Sequence, residues 1–330
     1  MANQAVEAVE TAAEPGAGVP EAKARKRSFF RTVRKYWIFY IMMLPALIVL
    51  ILNNYLPMFG ILIAFKKVNY QIGIWNSPWV GFKNFEYLFL TRDAWIITRN
   101  TLAYNALFIV LNLVFPLTFA ILLNELRSKF MAKLHQSIMF LPYILSYVVV
   151  SYLVYGFISP EHGYLNKTVF PLLGIGEINW YFEQRVWPWI LPIVNTWKNM
   201  GYYVVIYLAA IVGLDDELYE AATIDGANKW QQMTRITVPL LAPIITIMTL
   251  LQIGRIFNAD FGLFYLVTRD SGVLFPVTNV IDTYVYRTFL AVGDVGMSSA
   301  AGLLQSVVGF VLVWFSNWIV RRINSENALF

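Results

Sequence analysis

The stretch "LDDELYEAATIDGANKWQQMTRITVP", Leu214 to Pro239, is a polar, acid-rich island between two long apolar runs. Its surroundings explain why it stands out. The chain has 330 residues, of which 58% are hydrophobic, 16% aromatic and only 14% charged. A soluble domain spends about a quarter of its residues on charge, so the solvent for most of this chain is lipid. Cysteine is absent, which excludes disulfides, thiolate metal sites and cysteine nucleophiles. The net charge of +5 is concentrated in Lys23, Arg25, Lys26, Arg27, Arg31, Arg34 and Lys35, ahead of the first apolar run. That placement reads as a juxtamembrane cluster, worth about 1 kcal/mol per cation near an anionic leaflet. No basic groove interleaved with aromatics occurs elsewhere, so nucleic acid is not an expected partner.

A hydrocarbon core about 30 Å thick requires about 20 mainly apolar residues per helix. Six segments qualify: Tyr36–Phe65, Asn100–Leu123, Ser137–Ile158, Trp187–Gly213, Leu240–Val267 and Ser299–Val320. The first apolar run is too long for a signal peptide and lacks a small-x-small cleavage site, so it reads as a retained helix. The expected organisation is a disordered basic cytoplasmic tail over 1–35 and a six-helix membrane domain over 36–330. With the N-terminus inside, the cytoplasmic segments hold the tail cluster, Arg127, Lys129, Lys133, Lys229, Arg235, Arg321 and Arg322. They outweigh the diluted cations of the longer outer loops, so both termini are expected in the cytoplasm. The island at 214–239 then faces the cytoplasm as well.

Locally the island reads as two short helices joined by a turn. Asp215 or Asp216 caps the first, with acids in its opening turns where the helix dipole favours them. Gly226 is placed to adopt the left-handed conformation that ends a helix. Asn228 and Gln231 have capping-box spacing and start the second. Leu218, Tyr219 and Ala222 share one face of the first helix, and Trp230, Met233 and Thr237 one face of the second. From local physics alone, the segment is either a rigid knob built to be gripped or a well-capped connector.

The residues Glu220, Ala221 and Ala222, three more, Gly226, nine more, then Ile236, Val238 and Pro239 resemble the EAA signature of binding-protein-dependent ABC importer permeases. Val238 stands where that pattern has leucine. "YLPMFGILIAFKKVNY", "SPWVGFKNFEYLF", "VIDTYVYR" and the terminal "ENALF" extend the resemblance to the LplB-like carbohydrate branch of the family. The resemblance implies an all-α polytopic membrane protein of MalF-type fold, with six transmembrane helices and a cytoplasmic coupling helix. It implies a bacterial cytoplasmic membrane location and uptake of oligosaccharides, with no cofactor in this chain. It also implies a second homologous permease, two cytoplasmic ATPase subunits that bind ATP and magnesium, and an extracytoplasmic solute-binding protein. Glu220, Ala221, Ala222, Asp225, Gly226, Ile236 and Pro239 would form the ATPase-coupling surface. The chain has no G-x-x-x-x-G-K-[ST] run of its own, so it must borrow its energy.

Polar residues inside the spans mark a second candidate site. At about 100° per residue, Asn195, Lys198, Asn199 and Tyr202 fall on one stripe of span four. Gln252, Arg255 and Asn258 make a similar stripe on span five. A charge at mid-span costs about 2.5–3.5 kcal/mol on insertion scales, so it faces protein or a water-filled path. Internal pairing and lining of a sugar path both satisfy that demand for Lys198 and Arg255. Two cations along a path would also suit an acidic oligosaccharide. His135 and His162 are the only histidines and lie far apart, which excludes a clustered metal site. Two other classes compete. An ion-gradient-driven carrier should show inverted repeats, and a membrane-embedded glycosyl-processing enzyme should show paired carboxylates; neither pattern stands out.

Overall fold

A computed structural model describes residues 29–323 and 328–329. The expected tail lies mostly outside the described residues, as does most of "ENALF". Helix begins at Phe29, so residues 29–35, read from sequence as part of that tail, are already helical. The chain divides between Phe59 and Gly60 into two compact units. In the first, helix α1 (Phe29–Leu50) passes through a π-turn at Ile51–Tyr55 into a last turn at Leu56–Met58. Its side chains from Arg34 onward are exposed all round. A helix that is apolar on every face requires lipid or another protein around it.

The second unit is almost wholly helical; among the described residues the only bridge is between Lys66 and Trp79. Its long elements are α2 (Arg92–Asn124), α3 (Lys129–Ile144), α4 (Tyr147–Ile158) and α5 (Trp187–Val212). They are followed by α6 (Asp216–Ile224), α7 (Lys229–Gln232), α8 (Ala242–Ile253), α9 (Ile281–Val292) and α10 (Val295–Ile323). Arg34–Phe65, Asp93–Asn124 and Val295–Ile323 are each long and apolar enough to cross a membrane, and counting each of three bent pairs as one span gives up to six among the described residues.

Two departures from straight helix shape the sites described below. The third span bends by 101° between α3 and α4. Leu145 and Ser146 are extended there, and the Ser146 hydroxyl accepts the Val149 N–H to start α4. The fifth is not a continuous helix. It stops at Ile253, crosses a non-helical segment at 254–260, and resumes as a π-helix at Gly262–Val267. The 100° stripe expected for Gln252, Arg255 and Asn258 therefore fails as geometry, because Arg255 and Asn258 lie beyond the helix end.

The core holds the spans together around these departures. Val150, Trp187, Leu191, Leu263 and Phe264 form one buried cluster. Ala120, Val204, Tyr207 and Leu241 form another. Close backbone approaches depend on small residues, as between membrane helices generally. A Cβ on Gly201 would lie 2.1 Å from the Met139 carbonyl oxygen, and one on Gly309 would lie 2.4 Å from that of Gly254. The second contact presses α10 against the start of the break in span five. The segment after the first span packs down through Asn84, which donates to the Ala64 and Lys66 carbonyls, and Tyr87, which donates to Met297.

Candidate functional site

The island folds as a knob whose ends are fixed by its own side chains. Asp215 accepts the Glu217 N–H at 3.0 Å and opens α6. Gly226 closes the turn at φ 80°, a conformation that would strain any residue with a Cβ. Asn228 and Gln231 exchange hydrogen bonds of 2.8 and 2.9 Å as a capping box for α7. The two helices are tied by Tyr219 Oη to Thr237 Oγ1 at 2.9 Å, and by Gln232 Nε2 donating to Thr223 Oγ1 at 2.9 Å. Lys229 pairs with Glu125, in the turn after α2, at 3.0 Å.

Of the residues expected to make the coupling surface, Glu220, Ala221, Asp225, Gly226 and Pro239 are exposed, and Ala222 and Ile236 are half-buried. The Glu220 carboxylate has no ion-pair partner among the described residues. The face expected for Trp230, Met233 and Thr237 is split. A π-turn at Met233–Thr237 interrupts the helical period, so Thr237 is buried while Trp230 is 73% exposed. Ile224 stands out further, at 86% exposed. Spacing placed Trp230 on a packed face and did not single out Ile224 at all; the signal for both was an apolar side chain in a polar segment.

The second site is a cavity of about 660 Å³ among α2, α5, α8 and the break in span five. That volume is within the range that holds small ligands. Asn195, Asn199, Tyr202, Gln252, Arg255 and Asn258 all line it, so the two sequence stripes do converge. Asn105, Asn112, Tyr203 and Asp260 line it too. Spacing alone had not gathered these, although Asn105 and Asn112 are amides one double turn apart in an otherwise apolar run. Asn112 donates to Gln252 at 3.3 Å across the cavity. The Asn112 carbonyl oxygen and the Asn195 amide nitrogen are buried without a partner. Buried amide atoms left unpaired cost about 1–3 kcal/mol each.

The two mid-span cations part company. Lys198 does not line the cavity. It is 6% exposed and donates to the carbonyls of Pro142, Tyr143 and Leu145 at 3.4, 3.1 and 2.7 Å. Its ammonium also sits over the rings of Tyr147 and Tyr143, at 4.8 and 5.8 Å from their centroids. These carbonyls lie at the end of α3, where helix termination leaves acceptors unpaired. Lys198 therefore satisfies the bend of span three, and it does so without a carboxylate. Arg255 is exposed to the cavity, and its guanidinium forms no ion pair or hydrogen bond among the described residues.

Side chains from three other segments hold the break. Asn105 Nδ2 donates to the Ile256 and Asn258 carbonyls at 2.9 and 3.2 Å. Gln305 Nε2, from α10, donates to Phe257 at 2.8 Å and to Asp282 Oδ2 at 3.1 Å. Asp282, from α9, accepts the Ala259 N–H at 2.7 Å. Burial pushes the Asp282 carboxyl above the usual carboxylate range, with these two hydrogen bonds pulling the other way. Non-helical backbone at membrane depth survives only where its polar groups find such partners or water.

Residues 16–325 match the family described as binding-protein-dependent transport system inner membrane component. The chain belongs to this family. The permease is 33% identical to Protein LplB of Bacillus subtilis (strain 168), over 89% of this chain and 91% of that protein. It is 32% identical to the polygalacturonan/rhamnogalacturonan transport system permease protein YteP of the same organism, over 92% and 93%. Among solved structures it is similar to a chain of a bacterial ABC transporter involved in the import of the acidic polysaccharide alginate. There the TM-score is 0.81 and the identity 32%, covering 89% of this chain and 99% of that one. The permease is thus a membrane translocation component of an ABC importer, with ATP hydrolysis in a separate subunit. The ion-gradient carrier has no support among these relatives.

Proposed function

We propose that this permease carries oligosaccharides inward across the bacterial cytoplasmic membrane as half of a translocation pathway completed by a second, homologous permease. The observation that carries the reading is the cavity: amides, tyrosine hydroxyls and a free guanidinium gathered inside an apolar bundle. Sugars need many hydrogen-bonding partners and aromatic surfaces, and this lining supplies both. Asn195, Asn199, Tyr202, Gln252, Arg255 and Asn258 are the substrate-contacting set, while Lys198 serves the bend. Arg255, unpaired, favours an acidic sugar through charge-assisted hydrogen bonds. The names of two relatives, for polygalacturonan/rhamnogalacturonan and for alginate, support the same substrate class.

The knob is the contact with the motor. Two cytoplasmic ATPase subunits, carrying ATP and magnesium, grip the knobs of the two permeases. Here they would meet Glu220, Ala221, Ile224 and Trp230 over a turn shaped by Gly226. A solute-binding protein delivers the sugar on the opposite side; one similar transporter was solved with an alginate pentasaccharide-bound periplasmic protein. The distribution of lysine and arginine supports cytoplasmic termini and a cytoplasmic knob. The test is uptake of uronic and neutral oligosaccharides into proteoliposomes holding the assembled complex. Uptake should require ATP on the knob's side and the solute-binding protein on the other. Uptake that persists without the ATPase subunits would refute the reading.

A further inference from the structure

Beyond the cavity lies a cluster of rings that the translocation reading leaves unused. The chain leaves the cavity lining at Asp260 and enters this cluster at Phe261. Phe261 and Tyr265 stack with centroids 4.7 Å apart and planes 15° apart. Tyr286, from α9, meets both edge-on, at 4.8 and 5.3 Å. All three rings keep some surface open, and Tyr286 is 38% exposed. Neither the Tyr265 nor the Tyr286 hydroxyl forms a hydrogen bond within the described residues, although other tyrosines of this unit, such as Tyr87 and Tyr104, bond carbonyls.

The surroundings hold this cluster rigidly. Arg287, the neighbour of Tyr286, is fixed by Asp270, Asn279 and Thr283 and lies over the Phe275 ring at 4.0 Å. Asp270 and Arg269 both have left-handed backbones, at φ 48° and 54°. Two consecutive non-glycine residues in that region are strained and persist only where their surroundings fix them. The Arg287–Asp270 pair does so here, and it anchors the turn of α9 that carries Tyr286.

We propose that Phe261, Tyr265 and Tyr286 form an auxiliary saccharide subsite continuous with the cavity, taking the C–H face of a sugar ring that projects beyond it. This rests on the oligosaccharide reading above and deepens it. A pyranose ring presents partly positive C–H groups on one face, which suit the negative face of an aromatic ring. Its rim hydroxyls would satisfy the open phenols. The cavity alone serves short substrates, and the ring cluster adds affinity only for those long enough to pass Asp260.

The test is direct binding to the purified permease–ATPase complex, without its solute-binding protein, measured by equilibrium dialysis. The probes are a labelled galacturonate disaccharide and pentasaccharide, with maltose and maltopentaose as the neutral pair. The complex should bind the longer member of a pair more tightly. Tyr286→Leu should weaken pentasaccharide binding about tenfold and leave the disaccharide unchanged. Tyr286→Phe, which keeps the ring and its packing, should give a smaller loss of about threefold in the same direction. Equal effects on both lengths, or no length preference in the unaltered complex, would overturn the subsite while leaving the cavity reading intact. Failure of the unaltered complex to bind any probe would overturn both.

Discussion

The Lys198 ammonium lies 2.7 Å from the Leu145 carbonyl oxygen, inside the 101° bend of span three. A cation buried in a membrane bundle is thus met by backbone carbonyls and two tyrosine rings, with no carboxylate in ion-pair range among the described residues. Lys198→Met should deprive that carbonyl and the Tyr143 carbonyl of this donor and cost about 2 kcal/mol, read as a lower thermal midpoint of the purified complex. Because Lys198 is turned away from the cavity, the ratio of acidic to neutral sugar uptake should stay the same. A changed ratio would return Lys198 to the substrate path.

Arg255 should behave in the opposite way. Arg255→Gln removes the free cation of the cavity but leaves the break's backbone contacts in place. A charge-assisted hydrogen bond is worth about 1.5–3 kcal/mol, so affinity for uronic oligosaccharides should fall about tenfold or more. Neutral oligosaccharides should bind nearly as before. Equal losses for both would mean that Arg255 acts on structure rather than on charge.

Asn105→Val should loosen the break from across the bundle. It withdraws the donor shared by the Ile256 and Asn258 carbonyls. Hydrogen exchange over 254–260 should quicken while α5 remains protected, and the midpoint should drop by the equivalent of about 1–3 kcal/mol.

Asp282 gives a pH signature. Its carboxyl is raised by burial, so the folded protein keeps a proton that the unfolded chain has already released. Stability then declines as pH climbs from the ordinary carboxylate range through the raised value. Asp282→Asn retains a side-chain oxygen for the Ala259 N–H without the buried charge. Midpoint-versus-pH curves of this variant should lose that decline and lie at or above the parent near neutrality. Asp282→Ala should lie below the parent, since it leaves the Ala259 N–H without its partner.

On the knob, Ile224→Ser and Trp230→Ser should weaken association with the ATPase subunits by tenfold or more, since burying such a side chain is worth about 1.5–3 kcal/mol. Sugar binding to the cavity should be unaffected. Glu220→Lys should preserve the knob's fold and abolish transport-coupled ATP turnover. Normal coupling in all three would refute the assignment of this surface.

What the sequence disclosed was largely local. Asp215, Gly226 and the Asn228–Gln231 pair act within a turn or two of themselves, so their roles could be read from spacing. The break in span five could not. Leu240–Val267 reads as one apolar run, and what holds it open arrives from Asn105, Asp282 and Gln305, far away in the chain. Lys198 shares a helical stripe with Asn195 and Asn199, but its long stem carries the charge away to the end of α3. Trp230 was misassigned because a π-turn, invisible to a fixed period, follows it. Periodicity gave the right neighbourhood for the cavity and the wrong geometry for half of its wall.

The support of the break has an evolutionary corollary. Its backbone is pinned by side chains from α2, α9 and α10, leaving the side chains of Arg255 and Asn258 uninvolved in holding its shape. Those positions can therefore be exchanged without rebuilding the scaffold. A lineage of such permeases could switch between charged and neutral cargo by single replacements there, while Asn105, Asp282 and Gln305 stay put. Substrate range and architectural integrity would then be inherited separately, and a redesign for new sugars should begin at 255 and 258.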